Sequence, residues 1–310
     1  NLAAAHSNLG NIFRDIGKLE DAEVSQLKSI EINSDFANAY FSLSTLKYKN
    51  NNNIWREKLF SDEILNNKSK KDIIDIYFAR SNIYHKEENF KESAKYLKLA
   101  NNLKLILNPS NPVNLINKSK LLLNDSKKIS INQIEQVDCP QSIFIVGMPR
   151  SGSTLIESIL SMNSNVDALG ETNILEKSFL DWNKLHKEIR LSDLYWKEAV
   201  SNKSKVNITT NKCLYNYQFA GIISSQIPNT KIIHCFRNPL DNILSIYRAH
   251  FAKKNTYASS LVDCARIYLD QEKIMTEYKD RFRSKIYDLN YDSLVNNPNI
   301  EIKSLISWLG

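Results

Sequence analysis

The sequence predicts an all-α repeat domain followed by an α/β domain with a mainly parallel sheet. Three observations carry that expectation. In the first hundred residues a pattern recurs at a spacing near 34, the mark of stacked helical pairs that each bury a face against the next. From Ile143 onward, strand-like apolar runs alternate with helical patterns, which argues for a parallel sheet with crossover helices. Between the first of those strands and its helix, glycines stand at 147 and 152, the G-x-x-x-x-G spacing of a loop whose backbone cradles phosphate.

Bulk properties set the limits. A chain of 310 residues with 42% hydrophobic content is long enough for two domains, each with a core of its own. The formal charge of +7 and a pI near 9.0 suit anionic partners, but the lysines are scattered through polar, Asn-rich stretches, so no nucleic-acid partner is expected. Cysteines 139, 213, 235 and 264 are too far apart for a metal or redox pair, and they form no disulfide framework. A reducing, cytoplasmic setting is the simpler expectation. No apolar run reaches the length of a membrane-spanning helix, and no signal peptide is visible.

In the first unit, "HSNLGNIFRDIGKLEDAEVSQLKSIEINS" from His6 to Ser34, the Leu-Gly, aromatic, Gly and Ala spacing resembles a tetratricopeptide repeat. Leu9, Gly10, Phe13, Gly17 and Ala22 fall on its packing positions. A second unit begins at Ala37 and places Tyr40 and Leu43 34 residues after His6 and Leu9. The third, Ile76 to Leu103, follows 37 residues later when Tyr77 is aligned with Tyr40, with the run Asn50 to Asn53 taking up the extra length. Generic paired helices also place small residues at helical spacing, but they do not share a period. Such repeats imply scaffolding or a protein partner. Residues 107–141, rich in Pro, Asn, Lys and Ser, read as a connecting segment with a helix around Val113 to Leu123. The expected division is therefore 1–106 repeats, 107–141 connection and 142–310 α/β domain.

In the second domain, strands are expected at "IFIV", "VDAL" and "KIIHCF", with helices from Ser153, through Lys177 to Val200, and from Pro239. The loop "GMPRSGST" keeps the frame of a nucleotide-binding P-loop, yet Ser153 and Thr154 follow Gly152 where a triphosphatase carries Lys and then Ser or Thr. In "KIIHCFRNPLDNILSIY" a buried strand ends in Arg237 and proline opens the next helix. Arg237 then emerges at the carboxyl end of a strand, with Ser245 two turns into the helix. Together a guanidinium fork and a hydroxyl offer one phosphate several donors. An arginine at a strand end is more often a surface ion-pair residue; its pairing with the phosphate loop favours the functional reading.

Together, "GMPRSGSTLIESIL" and "FRNPLDNILSIY" resemble the two donor-binding motifs of sulfotransferases that use 3′-phosphoadenosine 5′-phosphosulfate (PAPS), and tetratricopeptide repeats ahead of such a domain are similar to a group of bacterial repeat-linked sulfotransferases. This resemblance covers Ile143 to Gly310 and lies nearest the protein-tyrosine sulfotransferase branch. It explains the missing lysine, since a 5′-phosphosulfate has no γ-phosphate to hold, and backbone N–H groups with hydroxyls suffice. It implies a P-loop-like α/β fold, no metal, and a donor site of Arg150, Ser151, Gly152, Ser153 and Thr154 at the 5′ end, with Arg237 and Ser245 on the 3′-phosphate. Arg150 would face the sulfonate. Glu171, in "ALGETN", matches the branch's general base. Lys212, in "TNKCLYN", matches the lysine that stabilises charge on the leaving oxygen. "YDSLVNNP", Tyr291 to Pro298, resembles the late "YE-x-L" segment.

Four positions depart from the pattern: Asn211 stands where Asp is common, Leu214 where Pro is common, "SMNSNV" lacks a His-Pro, and Asp292 replaces Glu. His234 lies inside a strand and reads as a core residue, while His186 and His250 sit in no matching motif. The implied reaction moves a sulfuryl group to a hydroxyl acceptor, a protein tyrosine or a saccharide. Two other readings stand beside it, a P-loop phosphotransferase and a catalytically silent repeat scaffold. A preference for adenosine 3′,5′-bisphosphate over ADP would separate the first of these from a sulfotransferase, and turnover would separate the second.

Overall fold

A computed structural model describes residues 2–46, 54–129, 139–199, 208–251 and 255–310. The Asn50 to Asn53 run, expected to absorb the extra repeat length, and Val200 lie outside them. Two units separate by their contacts: residues 1–110 with 250–260, and residues 111–249 with 261–310.

The first unit is helical: α1 (Leu2–Asp15), α2 (Leu19–Ile32), α3 (Ala37–Thr45), α4 (Ile54–Phe60), a 3-10 turn (Asp62–Leu65), α5 (Lys70–Lys86) and α6 (Phe90–Leu107). Pairing of α1 with α2 depends on Gly10, because a Cβ there would crowd the Gln26 amide and the Ala22 carbonyl. Gln26 Nε2 donates to the Ser7 carbonyl at 2.9 Å, and Ser29 Oγ to the Ala3 carbonyl at 2.7 Å. Gly17 serves the turn rather than the packing, with φ of 82° and open space where a Cβ would lie. Leu9, expected on a packing position, is 41% exposed; Gln26 and Ser29 do more of the joining than it does. In the third unit Ser81 and Ser93 make the close approach between α5 and α6, each hydroxyl donating to the other's carbonyl at 3.0 and 2.9 Å. Tyr40 and Leu43 are fully buried in the unit's core beside Leu59, Ile76 and Ile83.

The second unit runs α7 (Pro112–Lys128), β1 (Gln141–Gly147), α8 (Ser153–Leu160), β2 (Val166–Ala168), α9 (Ile174–Lys184), α10 (Leu191–Ala199), β3 (Ile208–Asn211), a 3-10 turn (Leu214–Phe219), α11 (Ala220–Gln226), β4 (Thr230–Phe236), α12 (Pro239–Arg248), α13 (Leu261–Phe282), β5 (Ile286–Asn290), α14 (Tyr291–Asn296) and α15 (Pro298–Leu309). Among the described residues the strands form one parallel sheet in the order β2-β3-β1-β4-β5. The centres of β1 and β4 are apolar runs because both faces of the sheet are covered there. Phe144, Val146 and Ile232 face one cluster with Leu122, Ile222, Ile274 and Tyr278; Ile143, Ile145, Ile233 and Cys235 face the other with Ile156, Leu160 and Leu305.

Helix α7 is where the connecting segment and the structure part. It buries Ser119, Leu122, Leu123 and Ser126 in the second unit's core, and Gln218 Nε2 donates to the Leu115 carbonyl and Ser119 Oγ at 3.0 and 2.9 Å. A narrow buried stripe in an Asn- and Lys-rich helix does not read as core from composition. The helices expected through Lys177 to Val200 are α9 and α10, separated where His186 and Lys187 take positive φ of 48° and 64°.

Candidate functional site

Because β1, β3 and β4 are neighbours running the same way, the segments after Gly147, Asn211 and Phe236 emerge at one edge of the sheet. This is the carboxyl edge, where open α/β sheets bind ligands. The loop after β1 is fixed by backbone conformation. At Gly147 a Cβ would collide with the Cys235 carbonyl, so β4 passes closer than any side chain allows. Arg150 and Gly152 follow with φ of 68° and 87°, which is the left-handed region, and α8 then begins at Ser153 with its free amides turned to the loop.

The three strand ends bring distant residues together. Lys212 Nζ donates to Thr154 Oγ1 at 3.2 Å and to Glu171 Oε1 at 2.8 Å. The lysine side chain is only 8% exposed and the glutamate 69%, so a nearly buried cation faces a carboxylate open to solvent. Glu171 is held there by backbone and by a buried partner. Lys212 N donates to the Gly170 carbonyl at 2.9 Å, Leu169 N to the Thr210 carbonyl at 2.9 Å, and Gly170 N to Glu157 Oε1 at 3.2 Å. Glu157, on α8, also accepts from Thr210 Oγ1 at 3.1 Å. Asn211 accepts from Cys213 N and Asn216 Nδ2, both at 3.1 Å, and so shapes the turn after β3. Burial, with Glu176 adding to it, pushes the Cys213 thiol up.

A second group forms around the end of β4. Asn238 caps α12, its Oδ1 accepting from Leu240 N and Asp241 N at 3.0 and 3.2 Å. Its own N–H donates to Asp292 Oδ2 at 2.7 Å. The Arg237 guanidinium lies over the Tyr291 ring at 5.0 Å and 3.7 Å from Asp292 Oδ1, so the late segment Tyr291 to Pro298 supports the arginine. Tyr268 donates to the Arg237 carbonyl at 3.2 Å. Arg150, at a left-handed backbone position, donates from Nε to Ser245 Oγ at 3.2 Å. Buried Asn242 ties the same helix to the loop, Nδ2 donating to the Pro149 carbonyl at 3.0 Å.

Among the expected site residues, then, Thr154, Glu171 and Lys212 meet in one cluster, while Arg150 and Ser245 meet in another that α12 links to Arg237. Ser153 is buried at the first turn of α8. Ser151 Oγ and Arg237 Nε are buried and lack hydrogen-bond partners. Two unsatisfied donors on a loop and a strand end fit an anionic ligand. The sequence gives no sign of Glu157, Asn242 or Tyr268, whose partners are far away along the chain. His234 stands apart. It is fully buried, with Nδ1 3.2 Å from Asp288 Oδ1 and Nε2 2.6 Å from Gln271 Nε2. Burial alone would raise the Asp288 carboxyl, but hydrogen bonds from His234, Lys279 and Arg283 hold it far below the usual carboxylate range.

Comparison with known proteins shows the family. The profile of the sulfotransferase family matches residues 140–310, more than half of the chain, and the tetratricopeptide repeat profile matches residues 3–36 and 74–105. An uncharacterized protein of Aquifex aeolicus (strain VF5) is 30% identical over 189 residues, covering 54% of this chain and 25% of that protein; the chain thus spans about a quarter of this relative's length. Nodulation protein H of Rhizobium tropici is 23% identical over 197 residues, 57% of this chain and 78% of that one. Among solved structures, the sulfotransferase domain from the curacin biosynthetic pathway overlaps with a TM-score of 0.40 at 16% identity, over 56% of this chain and 75% of that one. A sulfotransferase from Mycobacterium tuberculosis H37Rv gives 0.38 at 10% identity, over 78% and 82%. The assignment rests on the profile match rather than on these overlaps. On that match over residues 140–310, the chain belongs to the sulfotransferase family.

Proposed function

We propose that this chain transfers a sulfuryl group from PAPS to a hydroxyl acceptor. The observation that carries the proposal is the contact of Lys212 with both Thr154 and Glu171, at 3.2 and 2.8 Å. It joins a cation, a hydroxyl at a helix N-terminus and an open carboxylate drawn from three separate segments. The donor supplies the sulfuryl group, carried on its 5′-phosphate. The loop amides, Ser151, Ser153 and Thr154 hold that end, and Arg237 and Ser245 hold the 3′-phosphate. Lys212 Nζ neutralises charge that gathers on the oxygen left behind. The Glu171 carboxylate takes the proton from the acceptor hydroxyl as it attacks.

The proposed acceptor is a hydroxyl on a peptide, a tyrosine first among them on the sequence resemblance, or on a glycan. A positive net charge suits an acidic acceptor, and the repeats are proposed to engage a protein. Among the described residues no helix is long and apolar enough to cross a membrane. The test is a screen with labelled donor over peptides, glycans and small hydroxyl compounds, read by mass shift. Transfer to any class supports the proposal. Binding of ADP in preference to adenosine 3′,5′-bisphosphate, with no sulfuryl transfer, overturns it in favour of phosphoryl chemistry.

A further inference from the structure

Helix α1 turns an apolar stripe to solvent. Leu2, Ala5, Leu9 and Ile12, with Ile16 just past the helix end, follow one another at the three- and four-residue steps that keep to one face. All five are exposed, Leu9 by 41% and Ile12 by 57%. From Leu2 to Phe13 there is no Lys, Arg, Asp or Glu, and Arg14 and Asp15 pair with each other at 2.9 Å. A repeat that closes a stack ordinarily ends in a polar outer face. The repeat period shows what this apolar one is for. Positions 34 residues after Leu2, Ala5, Leu9 and Ile12 are Phe36, Ala39, Leu43 and Leu46. Ala39, Leu43 and Leu46 are buried in the core that Ala22 and Ile30 of α2 help to line, and Phe36 packs against it. The stripe is thus the stacking face of the repeat, covered by a helix in the second repeat and open in the first.

We infer that α1 is a self-association face, at which two copies of this chain pair antiparallel through Ala5, Leu9 and Ile12. Two observations choose a second copy as the occupant. The first is charge. The chain carries a formal +7, which opposes contact between copies over most of a surface, whereas a stripe without charge sets nothing against its own likeness. The second is shape. In an isologous pair the same patch serves both protomers. With the two-fold axis near Leu9, the middle of the stripe, each Leu9 meets its counterpart, and the small Ala5 of one protomer faces the branched Ile12 of its partner. Large side chains then fall opposite small ones, as two packed helices require. The pairing gives the first repeat the apolar cover that its own chain gives the second.

The experiment measures the mass of the full chain by light scattering and sedimentation over a wide range of concentration. A dimer that dissociates on dilution is expected. Ile12→Glu brings a carboxylate from each protomer into the apolar contact and should weaken pairing by roughly 100-fold or more. Leu269→Glu, at an exposed apolar position of α13, should leave it unchanged. Melting curves at low concentration check that both variants fold. Should Ile12→Glu melt early, Leu9→Cys carries the test: with diamide as oxidant it should join two protomers by a disulfide, above any background from the four native cysteines. Ile16→Cys, about 10 Å along the helix from the axis, should not. A monomer at every concentration, a dimer that Ile12→Glu leaves intact, or equal cross-linking at positions 9 and 16 overturns the inference. A monomer whose α1 gains protection from hydrogen exchange only when a different helical repeat protein is added overturns it in favour of that occupant.

Discussion

Glu171 and Lys212 form an ion pair that is also the proposed chemical centre, so their roles separate only by choosing the substitution. Glu171→Gln keeps the side chain's shape and an acceptor for the Lys212 ammonium, but removes the proton acceptor. Turnover should fall by roughly 10²–10⁴-fold, the usual contribution of a positioned general base, while affinity for adenosine 3′,5′-bisphosphate stays nearly constant. Both are measured on one preparation, and near-normal turnover would exclude the role. Arg237 acts at the other end. Its guanidinium is 20% exposed and stands 3.7 Å from Asp292, too far for a tight pair, so a phosphate would meet a cation with much of its hydrogen-bonding capacity unspent. Arg237→Ala should cost roughly 1.5–3 kcal/mol of bisphosphate binding, the worth of hydrogen bonds to a charged group, and leave 5′-AMP unaffected. Equal losses in the two titrations would remove Arg237 from the 3′ end.

At the scale of elements, the loop between β1 and α8 depends on glycine where the backbone turns left-handed against another segment. A Cβ on Gly152 would collide with the Tyr291 ring, and that ring underlies Arg237. Gly152→Ala should therefore destabilise the fold by roughly 1–3 kcal/mol through overpacking, and also weaken bisphosphate binding by displacing the support of Arg237. Melting curves and titration read the two effects, and a variant neutral in both would contradict the loop conformation. The elements that were legible in the sequence are those whose local pattern matches their burial. β1 and β4 are long apolar runs, and α12 announces itself through Asn238 and Pro239. β3, "ITTN", and β5, "IYDLN", are too polar to read as strands alone; their places come from pairing with β1 and β4. The site divides the same way. Gly147, Gly152 and Arg237 sit where a strand stops and a helix starts, a boundary the sequence marks. Glu157 and Asn242 are polar groups inside helices, and only their partners at Gly170 and Pro149 give them meaning.

On the scale of the whole molecule, the chain does not divide at one point. Residues 250–260, which follow α12 in sequence, belong to the helical unit. There His250 stacks on Phe78 with ring centroids 4.4 Å apart, meets Phe41 edge-on at 4.9 Å, and has Nε2 2.8 Å from Asp75 Oδ1. Lys104, whose ammonium burial pushes down to about 8, donates to the Phe251 carbonyl at 2.9 Å. A reading in sequence order cannot foresee this, because the histidine lies more than a hundred residues beyond the last repeat and its partners lie on α3 and α5. The consequence is that a substitution in the α/β stretch of sequence should weaken the repeats. His250→Ala strips an aromatic contact from Phe41 and Phe78 and leaves Asp75, whose side chain is 8% exposed, without its imidazole partner. The buried carboxylate alone should cost roughly 1–3 kcal/mol. Hydrogen exchange should show the loss of protection in α3, α5 and α6, with β1 and β4 keeping theirs, and Asp75→Asn combined with His250→Ala should recover part of the stability by removing the stranded charge. Protection lost from the sheet instead, or from neither region, would mean that residues 250–260 are not part of the repeat unit's core.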